Sequence, residues 1–443
     1  MTQFRADLLH SPTRGQIERI EDALVSVDTD GMITSIAPYH DGGRPDDVVD
    51  LRDKGVLIPG LVDLHIHAPQ FPQLGMALDV PLEDWLQTYT FPLEARYGDV
   101  AFAQTVYDAL VRRLLANGTT TAVYFATIHA PASLALAQIC VDLGQRALVG
   151  RVAMDDPHGC PDYYRDADAA TAIQDTADFI DAVRAIPGNA RVEPAITPRF
   201  IPACTDETLR GLGRLAAQTG APVQTHCSES DWEHGFVIDR CGMSDTHALD
   251  SFGLLTRRTV LAHAGFINDA DMELIRARGS GVAHCPLSNT YFANAAFPLR
   301  AALNKSLRIG LGTDISGGPS ACLLDNARAA VATSRMLETG TDPATPQDTR
   351  GVPESRVDFR DAFWLATAGG ADVLDLPIGM FAKGRQFDAV LVDLPDADLV
   401  PLTADDLLQA IIMRATPGDI KATWVAGHCV SGSTDDQTTG RTV

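Results

Sequence analysis

Between about residue 60 and residue 370 the chain alternates short apolar runs with stretches whose apolar positions recur every three to four residues. The short runs predict strands at Val62–His67, Thr121–Phe125, Arg146–Met154, Arg191–Thr197, Pro222–His226, Thr259–His263, Gly281–His284 and Leu307–Thr313. The periodic stretches predict helices, the clearest running from Val100 to Leu115 and stopping at Asn117-Gly118. Thr208–Ala217, Ala270–Ala277 and Asp325–Leu337 follow the same pattern. Eight strand–helix units over this length fit an α/β chain closed into a (β/α)8 TIM-like barrel with insertions. A doubly wound open sheet is the alternative. Neither Gly-x-Gly-x-x-Gly after a strand nor Gly-x4-Gly-Lys-Ser/Thr occurs, so nucleotide-phosphate folds lack support.

Both ends of the chain read differently. Ala23–Val27 and Met32–Ile36 flank the turn Asp28-Thr-Asp-Gly31, and β patterns return at Phe387–Leu394 and Ala422–Val430. A small β-sandwich domain assembled from residues 1–58 and 373–443, around a barrel of residues 59–372, is the economical division. One long insertion, Pro69 to Asp99, follows the first barrel strand and carries Phe71, Trp85, Tyr89, Phe91 and Tyr97. A connection of that length serves function more often than not, which makes it a candidate lid or pocket wall. Packing of aromatics against the core is the other reading.

Composition narrows the partners. A hydrophobic share of 45% and a charged share of 21% are ordinary for a globular protein. The net charge of −23 repels phosphate backbones, which argues against nucleic acid and leaves neutral small molecules open. No window approaches the roughly 20 apolar residues of a membrane helix. The N-terminus lacks the basic start and apolar core of a signal peptide. Eight cysteines without a Cys-x-x-Cys pair favour reduced thiols and a cytoplasmic setting.

Candidate chemistry collects where the predicted strands end, the usual place for it in such a barrel. His65 and His67 close the first strand; at i and i+2 they share one face and can meet on one cation. Two histidines satisfied within the core would produce the same motif. His226 ends the fifth strand with Glu229 three residues on, His263 ends the sixth, and Asp314 follows the eighth. Titratable groups gathered at one edge point to a functional site.

The run Pro59-Gly-Leu-Val-Asp-Leu-His-Ile-His67, followed by His226, His263 and Asp314, resembles the metal-dependent amidohydrolase superfamily. Further segments resemble the guanine deaminase family within it: His65-Ile-His-Ala-Pro-Gln70, Asp79 to Glu94, Ile196-Thr-Pro-Arg-Phe200, His284-Cys-Pro-Leu-Ser-Asn289 and Gly312-Thr-Asp-Ile-Ser-Gly-Gly318. The likeness extends to Val425. It implies one zinc per subunit held by His65, His67, His226 and Asp314, with iron also suited to such ligands. It implies that the metal brings the pKa of a bound water toward about 7. Glu229 would then shuttle protons, His263 orient the nucleophile and Asp314 accept the water's proton. Guanine would become xanthine and ammonia, a step of purine catabolism.

By the same resemblance Gln70 and Arg199 meet the purine's polar edge and Phe200 packs near it; Trp85, carried on the long insertion, is a candidate pocket wall. An amide offers donor and acceptor together and a guanidinium a rigid donor fork. Arg199 as a structural ion-pair partner stays open. The resemblance also implies a homodimer. Sister deaminases of 8-oxoguanine or pterins share the ligands, and a non-catalytic assembly protein is a reading from another class. Ala195 and Thr197 occupy the fourth strand end where two-metal relatives carry a lysine, which favours a single metal. Pro69 and the pair Ala264-Gly265 depart from the family pattern. His129 and His284 end strands and are candidates for supporting the ligands. His10, His40, His158, His234, His247 and His428 have no partner at metal spacing. Cys227 and Cys285 are expected to point away from their histidine neighbours.

Overall fold

The computed structural model describes residues 1–39, 48–293, 295–395 and 399–433. The N-terminal segment supplies β1 (Thr2–His10), β2 (Glu18–Val27), β3 (Ile33–Pro38), β4 (Val48–Asp50) and β5 (Val56–Pro59). Then come β6 (Leu61–His67), β7 (Thr119–Phe125), β8 (Arg146–Ala153), β9 (Val192–Pro198), β10 (Val223–Cys227), β11 (Thr259–His263), β12 (Gly281–His284) and β13 (Arg308–Leu311). These eight run parallel and close into a barrel, with Leu311 of β13 paired to Asp63 of β6. The predicted barrel strands are all present, their ends moved by up to two residues. The four predicted helices are present too, as Val100–Ala116, Asp206–Thr219, Asp269–Arg278 and Leu323–Thr339.

The chain's two ends meet in one eight-stranded sheet. β14 (Ala389–Val392), β15 (Ile420–Val425) and β16 (His428–Gly432) extend it, in the order β16-β15-β14-β5-β1-β2-β3 with β4 beside β1. The expected small β domain thus takes the form of a sheet whose apolar face buries Phe4, Leu8, Val25, Leu57, Phe387, Leu391 and Trp424. Phe4 stacks on Phe387 with ring centroids 4.3 Å apart. Sheet and barrel are joined through a single residue, Gly60, between β5 and β6. A Cβ there would fall 2.2 Å from Thr120 Oγ1, so only glycine lets the strand pass.

β6 holds one residue more than β7 between the pairs Asp63–Ala122 and Ile66–Tyr124. Such a bulge re-aims side chains at a barrel rim. The insertion after β6 is a chain of short helical turns rather than an open loop: Ala68–Gln73, Leu82–Trp85, Leu86–Thr90, Phe91–Ala95 and Arg96–Gly98. Leu82, Trp85, Leu86 and Phe91 form an apolar cluster with Phe125, Met154, Tyr164, Phe200 and Phe292. Tyr97 packs instead against Tyr107 on the outer helix, and Tyr89 is exposed.

Candidate active site

The five strand-end residues converge. His65 and His67 leave the bulged end of β6, His226 is the penultimate residue of β10, His263 closes β11, and Asp314 lies three residues past β13. The backbone is tightly constrained here. His263 (φ 69°), Ala264 (φ 52°), Ser228 (φ 50°) and Asp314 (φ 50°) are all in the left-handed region. A non-glycine residue held there costs about 1–3 kcal/mol, a load tolerated where it aims a functional group. Hydrogen bonds across the strand ends hold the turns: Ala264 N–H to the Cys227 carbonyl at 2.9 Å, and Asp314 N–H to the His65 carbonyl at 2.8 Å.

The nitrogens face one another. His67 Nε2 and His226 Nε2 are 3.0 Å apart, and Asp314 Oδ1 is 3.1 Å from His65 Nε2 and 3.5 Å from His67 Nε2. Tetrahedral ligands at the usual zinc bond lengths stand about 3.3 Å apart, so these spacings suit one shared ion. His226 Nδ1–H donates to the Arg199 carbonyl at 2.5 Å, which leaves the Nε2 lone pair aimed inward. His65 Nε2 and His263 Nε2 are buried without a hydrogen-bond partner among the described residues. Burial holds His65, His67 and His226 well below the ordinary imidazole pKa, with repulsion from neighbouring histidines adding to it. They are therefore neutral, as ligands must be. Three imidazoles and a carboxylate fit zinc or iron.

Glu229 faces the same space. Burial raises its carboxyl well above the usual range, and the charge of Asp314 adds to this. Its backbone N–H donates to Glu233 Oε2 at 2.7 Å, which pins the turn carrying it. His263 Nε2 is 3.6 Å from Glu229 Oε1 and 3.8 Å from Asp314 Oδ2, and its Nδ1 is 3.0 Å from Asn289 Oδ1. Asp63 ties the barrel seam to this centre, accepting from the N–H (2.9 Å) and hydroxyl (2.5 Å) of Thr313 and the N–H of His65 (3.3 Å). Burial pushes its carboxyl up to about 7 against those donors. Asp63→Leu leaves two buried backbone N–H groups without an acceptor, at about 1–3 kcal/mol each. A lower urea midpoint than Asp63→Asn, which keeps an acceptor oxygen, is the expected result.

A cleft of about 370 Å³, mouth included, opens beside these groups. It is lined by the polar groups His67, His226, Glu229 and Asp314 and by the apolar side chains Trp85, Leu82, Leu86, Phe200 and Phe292. Gln70 and Arg199 also line it. Such a cleft suits a small planar ligand. Both polar residues are gripped from behind by Glu94. Its Oε2 accepts from Arg199 Nη1 at 2.6 Å, and its Oε1 from Arg199 Nη2 at 3.1 Å and Gln70 Nε2 at 2.9 Å. Arg199 is thus both ion-paired and turned to the cleft.

Glu94, Asn289 and Asp63 were not among the residues singled out from sequence, although each lies inside a quoted segment. A buried acid facing an arginine 105 positions away leaves no local pattern. His129 packs against Tyr164 and His284 against Phe297, outside the cluster of ring nitrogens. His234 and His247 pair with Asp245 and Asp271, and His10 lies 3.3 Å from Glu18. Cys227 Sγ contacts Thr246 Oγ1 and Cys285 Sγ the Ala283 carbonyl, so neither thiol joins the cluster. Thr197 bonds Gln224. His40 lies outside the described residues.

A parallel eight-stranded barrel with histidines and an aspartate converging at its strand ends defines a hydrolase class, and the chain belongs to the amidohydrolase family, which it matches over residues 56–430. Its relatives within that family include guanine deaminases. The chain is 36% identical to a probable guanine deaminase of Schizosaccharomyces pombe, over 97% of this chain and 83% of that one. It is 34% identical to guanine deaminase of Dictyostelium discoideum, over 96% and 97%. Among solved structures, guanine deaminase from C. acetobutylicum with bound guanine in the active site superposes with a TM-score of 0.87. That match covers 97% of this chain and 99% of that one at 30% identity.

Proposed function

We propose that this chain hydrolyses guanine to xanthine and ammonia. The observation that supports the reading is the cleft itself, which is lined by His67, His226 and Asp314 together with the amide of Gln70 and the guanidinium of Arg199, with His65 grouped beside His67 and His226 at metal-ligand spacing. His65, His67, His226 and Asp314 would hold one zinc ion, with iron as the alternative. Bound there, the metal supplies a Lewis acid that activates water near neutral pH.

The chain's own residues do the rest. Gln70 and Arg199 grip the purine's oxygen and ring nitrogens, and Trp85 and Phe200 enclose the ring. The amine-bearing carbon then faces the metal centre. Asp314 takes the proton of the attacking water, and His263 orients the oxygen. Glu229, protonated because of its burial, gives its proton to a ring nitrogen. Of the attacking water's two protons, the first of which Asp314 holds, one then passes through Glu229 to the departing amine and the other returns to Glu229 itself. The carbon–nitrogen bond breaks, ammonia leaves, and a carbonyl remains.

The test is ammonia release from a panel of aminated purines and pterins, with and without added zinc. Guanine should be fastest. Faster turnover of 8-oxoguanine or a pterin reassigns the substrate, and no ammonia from any of them with metal bound removes the catalytic reading. Arg199→Lys keeps the charge but loses the rigid fork. Its kcat/KM for guanine should fall about 10- to 100-fold, the loss of about 1.4–2.8 kcal/mol of binding. Metal content should stay that of the parent; an unchanged kcat/KM counts against Arg199 as a substrate contact.

A cytoplasmic setting belongs to the same proposal, supported by eight free cysteines. No helix among the described residues is long and apolar enough to cross a membrane. The homodimer implied by the resemblance is checked by light scattering.

A further inference from the structure

Glu94 is fully buried, does not line the cleft, and touches both polar side chains that do. We propose that Glu94 is the positioning residue that sets substrate specificity, by fixing which donors and acceptors Gln70 and Arg199 turn toward the bound heterocycle. The inference rests on the guanine reading above and deepens it.

The hydrogen-bond inventory carries the argument. A primary amide can be flipped end for end with almost no change in shape, exchanging donor for acceptor. Gln70 cannot be, because both ends are committed. Its Nε2 donates to Glu94 Oε1 at 2.9 Å, and its Oε1 accepts the Ser316 N–H at 3.1 Å. Glu94 can only accept and the Ser316 amide can only donate, so a flipped Gln70 would set donor against donor and acceptor against acceptor. One N–H and one lone pair of known polarity remain for the ligand.

Arg199 is constrained by the same carboxylate. Glu94 takes one N–H from each terminal nitrogen, and Phe91 lies under the guanidinium with its centroid 4.9 Å away. The plane of the fork is thereby set, and its remaining N–H donors suit an oxo group on the ligand. Burial by itself would lower the guanidinium's pKa, yet the charge and hydrogen bonds of Glu94, with Tyr164 and Cys160 adding to them, leave it raised. An aminated ring that presents an oxo acceptor beside a ring donor matches these groups. A ring without the oxo group leaves buried donors unpaired, which is how a polar site rejects an isostere.

Glu94→Gln tests this. It keeps the size of the side chain and replaces one acceptor oxygen by an NH2, which must then face Arg199 or Gln70 with a donor. For guanine, KM should rise at least tenfold while kcat falls no more than a few-fold, and bound metal should equal that of the parent. The preference for guanine over 2-aminopurine, which lacks the oxo group, should shrink by at least tenfold. Direct binding of xanthine should weaken in parallel. If Glu94→Gln does not yield folded protein, Glu94→Asp keeps the charge for Arg199 but withdraws from Gln70, and must show the same loss of preference. An unchanged preference, or activity lost only in step with metal, overturns the proposal. A parent enzyme that does not deaminate guanine at all strikes the underlying reading instead, so the two failures are distinguishable.

Discussion

Glu229→Gln should reduce kcat by about 10²- to 10⁴-fold, the usual worth of a positioned proton donor and acceptor. The amide has nearly the shape of the carboxyl group, so the cleft and the turn held by Glu233 persist. It cannot carry a proton between water, ring nitrogen and amine. Bound metal and guanine KM should therefore stay within a few-fold of the parent. The geometry supports this split, since Glu229 is 3.6 Å from His263 Nε2 but is anchored through its backbone N–H and not through its carboxyl group. Steady-state ammonia release with elemental analysis of the same sample is the measurement. A variant that turns over guanine at the parent rate would end the proton-shuttle assignment.

Asp314→Asn should abolish turnover by a different route, through loss of the metal. Asp314 Oδ1 lies 3.1 Å from His65 Nε2 and 3.5 Å from His67 Nε2, and an amide offers a neutral, weaker oxygen in its place. Removing an outer hydrogen-bond partner of a metal ligand already costs about 10- to 100-fold in affinity. Replacing a ligand itself should exceed that, and competition with a chelator reads it directly. Without metal the site keeps three neutral imidazoles whose lone pairs converge, a crowded polar cluster with too few donors. A variant that retains full zinc at chelator concentrations that leave the parent loaded would remove Asp314 from the ligand set.

These two variants separate roles that the sequence presents together. Both residues are acids that follow the end of a predicted strand within three residues, and nothing local distinguishes a proton carrier from a ligand. Their surroundings do. Both line the cleft, but Asp314 Oδ1 lies 3.1 and 3.5 Å from the Nε2 atoms of His65 and His67, while the Glu229 carboxyl lies 3.6 Å from His263 Nε2.

Much of the fold could be read directly. Eight apolar runs alternating with helical periodicity leave few other topologies for a chain of this length, and strand ends were correct to within two residues because apolar runs stop where the barrel does. His65, His67, His226, His263 and Asp314 were visible for the same reason: each is a polar group terminating a buried run. The insertion was legible as a feature but not as a structure. Its aromatic residues predicted a wall over the cleft, which Trp85 supplies, yet Tyr97 and Tyr89 face elsewhere, because successive short turns send neighbouring aromatics in different directions.

Composition, periodicity and motif therefore determined the class of fold, the edge of the barrel where chemistry gathers, and the residue types present there. Tertiary structure decided what those residues can do. The bulge in β6 aims two histidines at one point, left-handed backbone turns His263 and Asp314 inward, and Glu94 reaches Arg199 across 105 positions to fix the polarity of the cleft. The physical reason is common to all three. Burial and direction depend on which segments pack together, and a carboxylate whose partners lie on other elements carries no mark of them in its own neighbourhood.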